Sequence, residues 1–158
     1  MLSNHELIQK FYTAFAARNA EQMVDCYHQE IHFSDPVFTH LNGADAGDMW
    51  RMLCELGTDL EIEFSELHAD QETGRAHWNA NYTFSQSNRK IHNSIDAEFE
   101  FRDGLIVRHI DRFDLYKWMC MALGLPGRLL GWAPFIQNTL RRKALTGLKQ
   151  WQKKRAAP

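Results

Sequence analysis

The chain has 158 residues, a formal net charge of −2 and an apolar fraction of 44%, which suits one domain with a core of its own. No run approaches the roughly 20 apolar residues of a membrane span, and the start, MLSNHELIQKF, lacks the charged-then-apolar order of a signal peptide. Charge is uneven: residues 1–138 hold 11 Lys/Arg against 20 Asp/Glu, whereas residues 139–158 hold 7 Lys/Arg and no acid. An acidic body therefore carries a basic tail. Cys26, Cys54 and Cys120 have no metal-like spacing and fall in predicted helices. They read as free thiols of a reducing compartment, so a cytoplasmic protein is expected.

Ser3-x-x-Glu6 is a capping box that starts the first helix. Leu7, Ile8, Phe11, Tyr12 and Phe15 recur at helical spacing behind it. A second helix is predicted over about 20–29, with Met23, Val24 and Tyr27 as its stripe. Ile31 to Ser34 is a short strand, stopped by Asp35-Pro36 because proline cannot donate to a ladder. Gly43 ends a loop. A third helix over about 44–57 carries Met49, Trp50, Leu53 and Leu56. Residues 60–68 alternate as a strand, and Asp70 to Gly74 is a polar turn. In the strand over 75–84, Ala76, Trp78, Ala80, Tyr82 and Phe84 share one face. His77, Asn79, Asn81 and Thr83 share the other.

The stretch Asn93–Asp114 reads as two strands and one turn. Ile91, Asn93, Ile95, Ala97, Phe99 and Phe101 alternate with polar residues, the mark of one buried face. Asp103-Gly104 predicts a two-residue type I′ hairpin. The return strand sets Leu105, Val107, His109, Asp111 and Phe113 on one face, with Ile106, Arg108, Ile110 and Arg112 opposite. Asp111 is thus a carboxylate on an apolar face, where it must be paired, hydrogen-bonded or protonated. Its two readings are a functional acid and a locally satisfied structural acid. Helical spacing then resumes at Leu115, Trp118, Met119 and Ala122, breaks at Gly124-Leu125-Pro126-Gly127, and resumes over about 134–153. Helices, a mostly antiparallel sheet and further helices make an α+β domain.

Three features carry a resemblance. A helix pair leads into Phe33-Ser34-Asp35-Pro36-Val37. Gly43 opens the next helix. Phe99-x-Phe101-x-Asp103-Gly104-Leu105-Ile106 is followed by His109-Ile110-Asp111-Arg112-Phe113-Asp114. In order and spacing these resemble the nuclear transport factor 2-like superfamily, which includes ketosteroid isomerases, SnoaL-type polyketide cyclases and limonene-epoxide hydrolases. The resemblance covers about residues 3–118. It implies a curved, mostly antiparallel sheet wrapped around N-terminal helices into a cone-shaped pocket, the cystatin-like arrangement. The expected division is a domain over 1–118 and a helical extension over 119–158 that packs on it.

The resemblance sets Asp35 at the position of the ketosteroid isomerase general base. The oxyanion donors do not follow: the family's first-helix tyrosine falls on Phe11, beside Tyr12, and its protonated aspartate falls on Ala97, beside Asp96. Authentic steroid isomerisation is therefore not expected. Asp111 falls where limonene-epoxide hydrolases orient a water, but their Arg and Asp two residues apart are replaced by Trp78-Asn79-Ala80-Asn81. SnoaL-type cyclases resemble the chain in using one acid and a shaped pocket. His109 and Asp111 would lie roughly 6–7 Å apart along one strand face, with substrate or water between them.

The catalytic candidates are accordingly Asp35, Asp111, His109 and Tyr12. Phe11, Phe15, Trp50 and Trp78 are expected to line the cone, together with Tyr82, Ala97, Phe99 and Phe113. An apolar small molecule suits such a wall. No cofactor is expected, since neither a phosphate loop nor a nucleophile elbow is present. His28 and His32 are four apart but gain no third ligand, so no metal is expected. The function expected is a cofactor-free acid/base isomerase, cyclase or hydrolase. The alternative is a non-catalytic homodimeric ligand-binding or protein-interaction domain, paired through the outer sheet face. Four roles fit the basic tail: a packed helix or lid, a dimer contact, a membrane-surface contact and nucleic-acid binding. The first is favoured, membrane contact is disfavoured and no nucleic acid is expected. The apolar run Leu129-Leu130-Gly131-Trp132 is expected to be buried against something.

Overall fold

The computed structural model describes Met1 to Pro158. Its centre is the hairpin of β5 (Arg89–Arg102) and β6 (Leu105–Arg112). Asp103 and Gly104 take φ of 55° and 74°, both positive, as a type I′ turn requires. Around this hairpin the sheet adds β1 (Tyr27–Ser34), β2 (Leu41–Asn42), β3 (Glu61–Ala69) and β4 (Thr73–Phe84). The strand order is β2-β1-β6-β5-β4-β3, antiparallel except for the parallel β1–β6 pair.

α1 (Asn4–Ala16) starts at the Ser3–Glu6 capping box and lies on the sheet through β3 and β4. All five of its predicted stripe residues are buried. α2 (Ala20–Val24) is shorter than the spacing predicts, and α3 (Ala44–Leu56) packs beside it. Tyr27 and His28 belong to β1, and Cys26 precedes it outside any helix. The spacing of Met23, Val24 and Tyr27 fits a helix, but Tyr27 gains a strand partner in Ile106; sheet pairing overrides a weak local preference.

A bulge lies between Glu100 and Phe101, where the register passes from Glu100↔Arg108 to Phe101↔Ile106. One extra residue on β6 reverses its side-chain parity. Ile106, predicted on the outer face, is consequently fully buried. Beyond the bulge the predicted parity holds: His109 and Asp111 point inward, and Arg108 and Arg112 pair outside with Glu100 (2.9 Å) and Glu98 (2.5 Å).

The chain then forms α4 (Leu115–Leu123), α5 (Leu125–Leu130) and α6 (Pro134–Ala156). The predicted break reduces to Gly124, because Leu125 to Leu130 are helical. At Gly127 an added Cβ would sit 2.1 Å from the Met119 carbonyl oxygen. Gly127→Ala is expected to cost about 1–3 kcal/mol through overpacking, read as a lowered midpoint in urea. α4 builds a small core of Ile91, Leu115, Trp118, Met119 and Ala122. Val37, Tyr82 and Phe113 touch both this core and the main one, so α4 closes the end of the sheet where Asp35 lies. Arg141 of α6 donates through Nε to the Pro36 carbonyl at 2.8 Å.

The rest of α6 runs along α3. Trp151 donates to Glu55 at 2.7 Å, Gln152 to Asp45 at 2.8 Å and Asp48 at 3.0 Å. Arg155 lies 3.9 Å from Glu21. The basic tail thus lies on acids of the body. Leu129, Leu130 and Trp132, expected to be buried against something, are not covered by this chain itself. No helix is long and apolar enough to cross a membrane.

Candidate active site

The inner face of β6 carries the site's polar floor. His109 is fully buried and Asp111 is 3% exposed. Their side chains bond directly, His109 Nε2 to Asp111 Oδ1 at 2.9 Å. The sequence reading left room for a bridging water or substrate; the imidazole instead leans along the strand and closes the gap. Trp78 Nε1 also donates to Asp111 Oδ1, at 3.3 Å. On the other side, Tyr27 Oη lies 2.7 Å from His109 Nδ1, and Trp50 Nε1 donates to Tyr27 Oη at 2.8 Å. The network assigns the tautomer: Trp50 N–H to Tyr27, Tyr27 O–H to Nδ1, and Nε2–H to Asp111.

Aromatic rings enclose this chain of bonds. The His109 ring is 4.5 Å from Phe99, 5.1 Å from Phe33 and 5.5 Å from Phe11 between centroids. Among the expected lining residues, Phe11, Phe15, Trp50, Trp78, Ala97 and Phe99 are buried together. Tyr82 and Phe113 stand half-buried at the seam with α4. Trp118 Nε1 donates to Tyr82 Oη at 2.8 Å. Two cavities of about 580 and 320 Å³ border neither Asp35 nor Asp111.

Asp35 sits at the end of β1, half-buried. Pro36 stops the strand, and the carboxylate turns back on its own chain. Oδ1 accepts the backbone N–H of Val37 at 2.7 Å and of Phe38 at 2.6 Å, an Asx-type turn. Both bonds fall on one oxygen. Burial pushes the carboxyl up to about 7; the Asp111 charge adds to this, while the two N–H groups oppose it.

Tyr12 is the remaining candidate. Its hydroxyl is buried with no hydrogen-bond partner. Burial, with smaller effects of Asp111 and Tyr27, pushes this phenol well above its ordinary range, so it is an O–H donor at any physiological pH. A buried, unpaired hydroxyl costs stability. Tyr12→Phe is therefore expected to hold or raise the melting temperature, which thermal unfolding measures.

The structure thus brings His109 and Asp111 into contact and sets Tyr12 and Asp35 near enough to Asp111 to feel its charge. Asp96 faces outward, bonded to His77 at 2.8 Å. His28 bonds Asp103 at 3.3 Å and His32 bonds Asn42 at 2.6 Å, so the two histidines turn to different partners. Tyr27 is the member that sequence reasoning missed. Placed in a helix, it looked like packing.

The sequence matches the model of the SnoaL-like domain over residues 8–109. The chain belongs to this family. The SnoaL-like match spans α1 through most of β6 and includes Asp35 and His109. No curated protein matches the chain. Similar solved structures include a nuclear transport factor 2-like protein from Burkholderia pseudomallei, with 15% identity, TM-score 0.67, and coverage of 78% of this chain and 100% of the other. A protein with a ketosteroid isomerase-like fold from Catenulispora acidiphila, crystallised with trimethylamine, gives 11%, 0.67, 82% and 98%. An LEH-like epoxide hydrolase from M. tuberculosis gives 15%, 0.61, 80% and 94%. At these identities the likeness is one of fold, and function has to be argued from the site.

Proposed function

We propose that this SnoaL-like domain is a cofactor-independent acid/base enzyme, an isomerase, cyclase or hydrolase of a small apolar carbonyl compound. Asp35 is the proton-transfer group. The observation that carries the reading is the state of its carboxylate: one oxygen is anchored by two backbone N–H groups, at the edge of an apolar interior. A general base works best with a pKa near the operating pH, and burial brings Asp35 there. It takes a proton from the carbon next to the substrate carbonyl and returns it at another carbon or to a leaving oxygen. Tyr12, an unpaired buried donor, supplies a hydrogen bond to the developing oxyanion. Asp111, His109 and Tyr27 form a polar support that holds the floor and the charge next to Asp35.

A second reading is favoured by burial. Tyr12, His109 and Asp111 are at most 3% exposed, so a substrate reaches them only if side chains or α4 move. Under that reading the chain is a ligand-binding or interaction domain, and the Asp111 network is structural. A homodimer through the outer sheet face suits either reading; there His77, Ser94 and Asp96 already bond to one another. Three free cysteines support a cytoplasmic setting. The test is turnover of a panel of apolar ketones, lactones and epoxides by the wild type and by Asp35→Asn. Turnover lost in the variant supports the enzyme. A substrate turned over equally by both removes Asp35 from the chemistry.

A further inference from the structure

The corner formed by α4, α5 and the start of α6 presents six large apolar side chains to solvent. They range from 40% exposed at Leu123 and 47% at Leu130 to 62% at Leu129, 65% at Trp132 and 66% at Leu125 and Phe135. All lie within one stretch of thirteen residues, 123–135. A concentration of this kind on one corner marks an interaction surface.

Three observations identify its occupant. First, the carbonyls at the centre of the corner are already paired. From Gly127 to Gly131 every carbonyl accepts an internal hydrogen bond: from Gly131 N at 2.8 Å, Tyr116 Oη at 2.7 Å, Trp132 Nε1 at 2.9 Å, Ala133 N at 3.0 Å and Gln137 Nε2 at 2.9 Å. Internal satisfaction is what an apolar medium demands of polar groups. Second, the Trp132 N–H is spent on the Leu129 carbonyl, so its indole enters such a medium without losing a partner. Third, residues 115–143, which exclude the half of α6 seated on α3, carry five Lys/Arg and no Asp/Glu. Exposed Arg128 lies within the corner, with Arg142 and Lys143 further along α6. A two-fold contact with a second copy would bring this cationic segment against itself. An anionic lipid surface has the complementary charge.

We infer that this corner docks the protein on an anionic membrane surface, inserting Leu125, Leu129, Leu130, Trp132 and Phe135 into the interface. The basic C-terminal half of α6 is not the docking element, since it is engaged with α3. The inference is independent of the acid/base reading of Asp35.

The test is co-sedimentation of the full chain with phosphatidylcholine vesicles, with and without roughly a third phosphatidylglycerol. The wild type is expected to bind the anionic vesicles at least tenfold more strongly, and the binding to fall as salt rises from about 0.05 to about 0.5 M. The triple variant Leu129→Ser/Trp132→Ser/Phe135→Ser is expected to lose that binding by tenfold or more. Its circular dichroism should stay unchanged and its melting temperature should fall only slightly, because these side chains are exposed and the one bond lost is that from Trp132 to the Leu129 carbonyl. Arg128→Gln/Arg142→Gln/Lys143→Gln is expected to erase the preference for anionic lipid. No binding to anionic vesicles, or equal binding by the triple serine variant, overturns the proposal. So does light scattering that shows a wild-type dimer dissociated by the serine substitutions without vesicle binding; the corner then holds a second copy.

Discussion

Asp35→Asn is expected to reduce turnover of a confirmed substrate by about 10²–10⁴-fold, the usual contribution of a positioned general base. The substitution is gentle. Asparagine keeps an Oδ1 that accepts the Val37 and Phe38 N–H groups, so the turn after β1 stays closed and the loss reports chemistry. In the wild type, kcat/KM should rise with pH through about 7, where the carboxyl gives up its proton. Stability runs the other way. The folded pKa lies above the ordinary 3.8, so the fold favours the neutral acid. That stabilisation is fully present below about pH 4 and is lost as pH rises through about 7. The variant should therefore melt above the wild type at pH 8 and close to it at pH 4. Thermal unfolding at the two pH values measures this. A wild type whose stability relative to the variant does not change between them would place the Asp35 carboxyl in its ordinary range and remove it as a neutral-pH base.

Asp111→Ala is expected to cost about 3–5 kcal/mol, the larger of the stability effects. It strands two buried donors, His109 Nε2 and Trp78 Nε1, in an aromatic interior. It also frees the His109 ring, which fixes Tyr27 and through it Trp50. Asp111→Asn retains an acceptor at Oδ1 and should cost less than half as much. Urea unfolding monitored by tryptophan fluorescence reads both, since Trp50 and Trp78 sit in the network. Equal losses in the two variants would mean that charge, rather than acceptance, is what the site needs.

The sequence by itself determined those parts of this protein that depend on near neighbours in the chain. The Ser3–Glu6 capping box starts α1, Asp103-Gly104 turns the hairpin, and Pro36 ends β1. The alternation of Ile91 to Phe101 sets the buried face of β5. These signals depend on backbone geometry and on burial of one face, so composition and spacing report them. They were enough to place Asp35 at a strand end and His109 and Asp111 on the inner face. The basic charge of residues 139–158 was equally legible; its seating on α3 was not.

Only the tertiary structure decided what these groups touch. Tyr27 meets His109 across 82 residues, and its parallel pairing with β6 turned a predicted helix residue into a strand residue. The bulge opposite Phe101 carried Ile106 inside, because one extra residue flips a strand's parity, and no local pattern announces it. Burial decided the proton affinity of Asp35 in the same way: a carboxylate's affinity for its proton follows from the solvent and charges that the fold places around it. Packing also decided the corner at Leu123–Phe135. Its apolar run reads in the sequence as buried against something. Gly127 lets α5 fold tightly onto α4, the carbonyls from Gly127 to Gly131 find partners within the chain, and the apolar side chains are left facing outward.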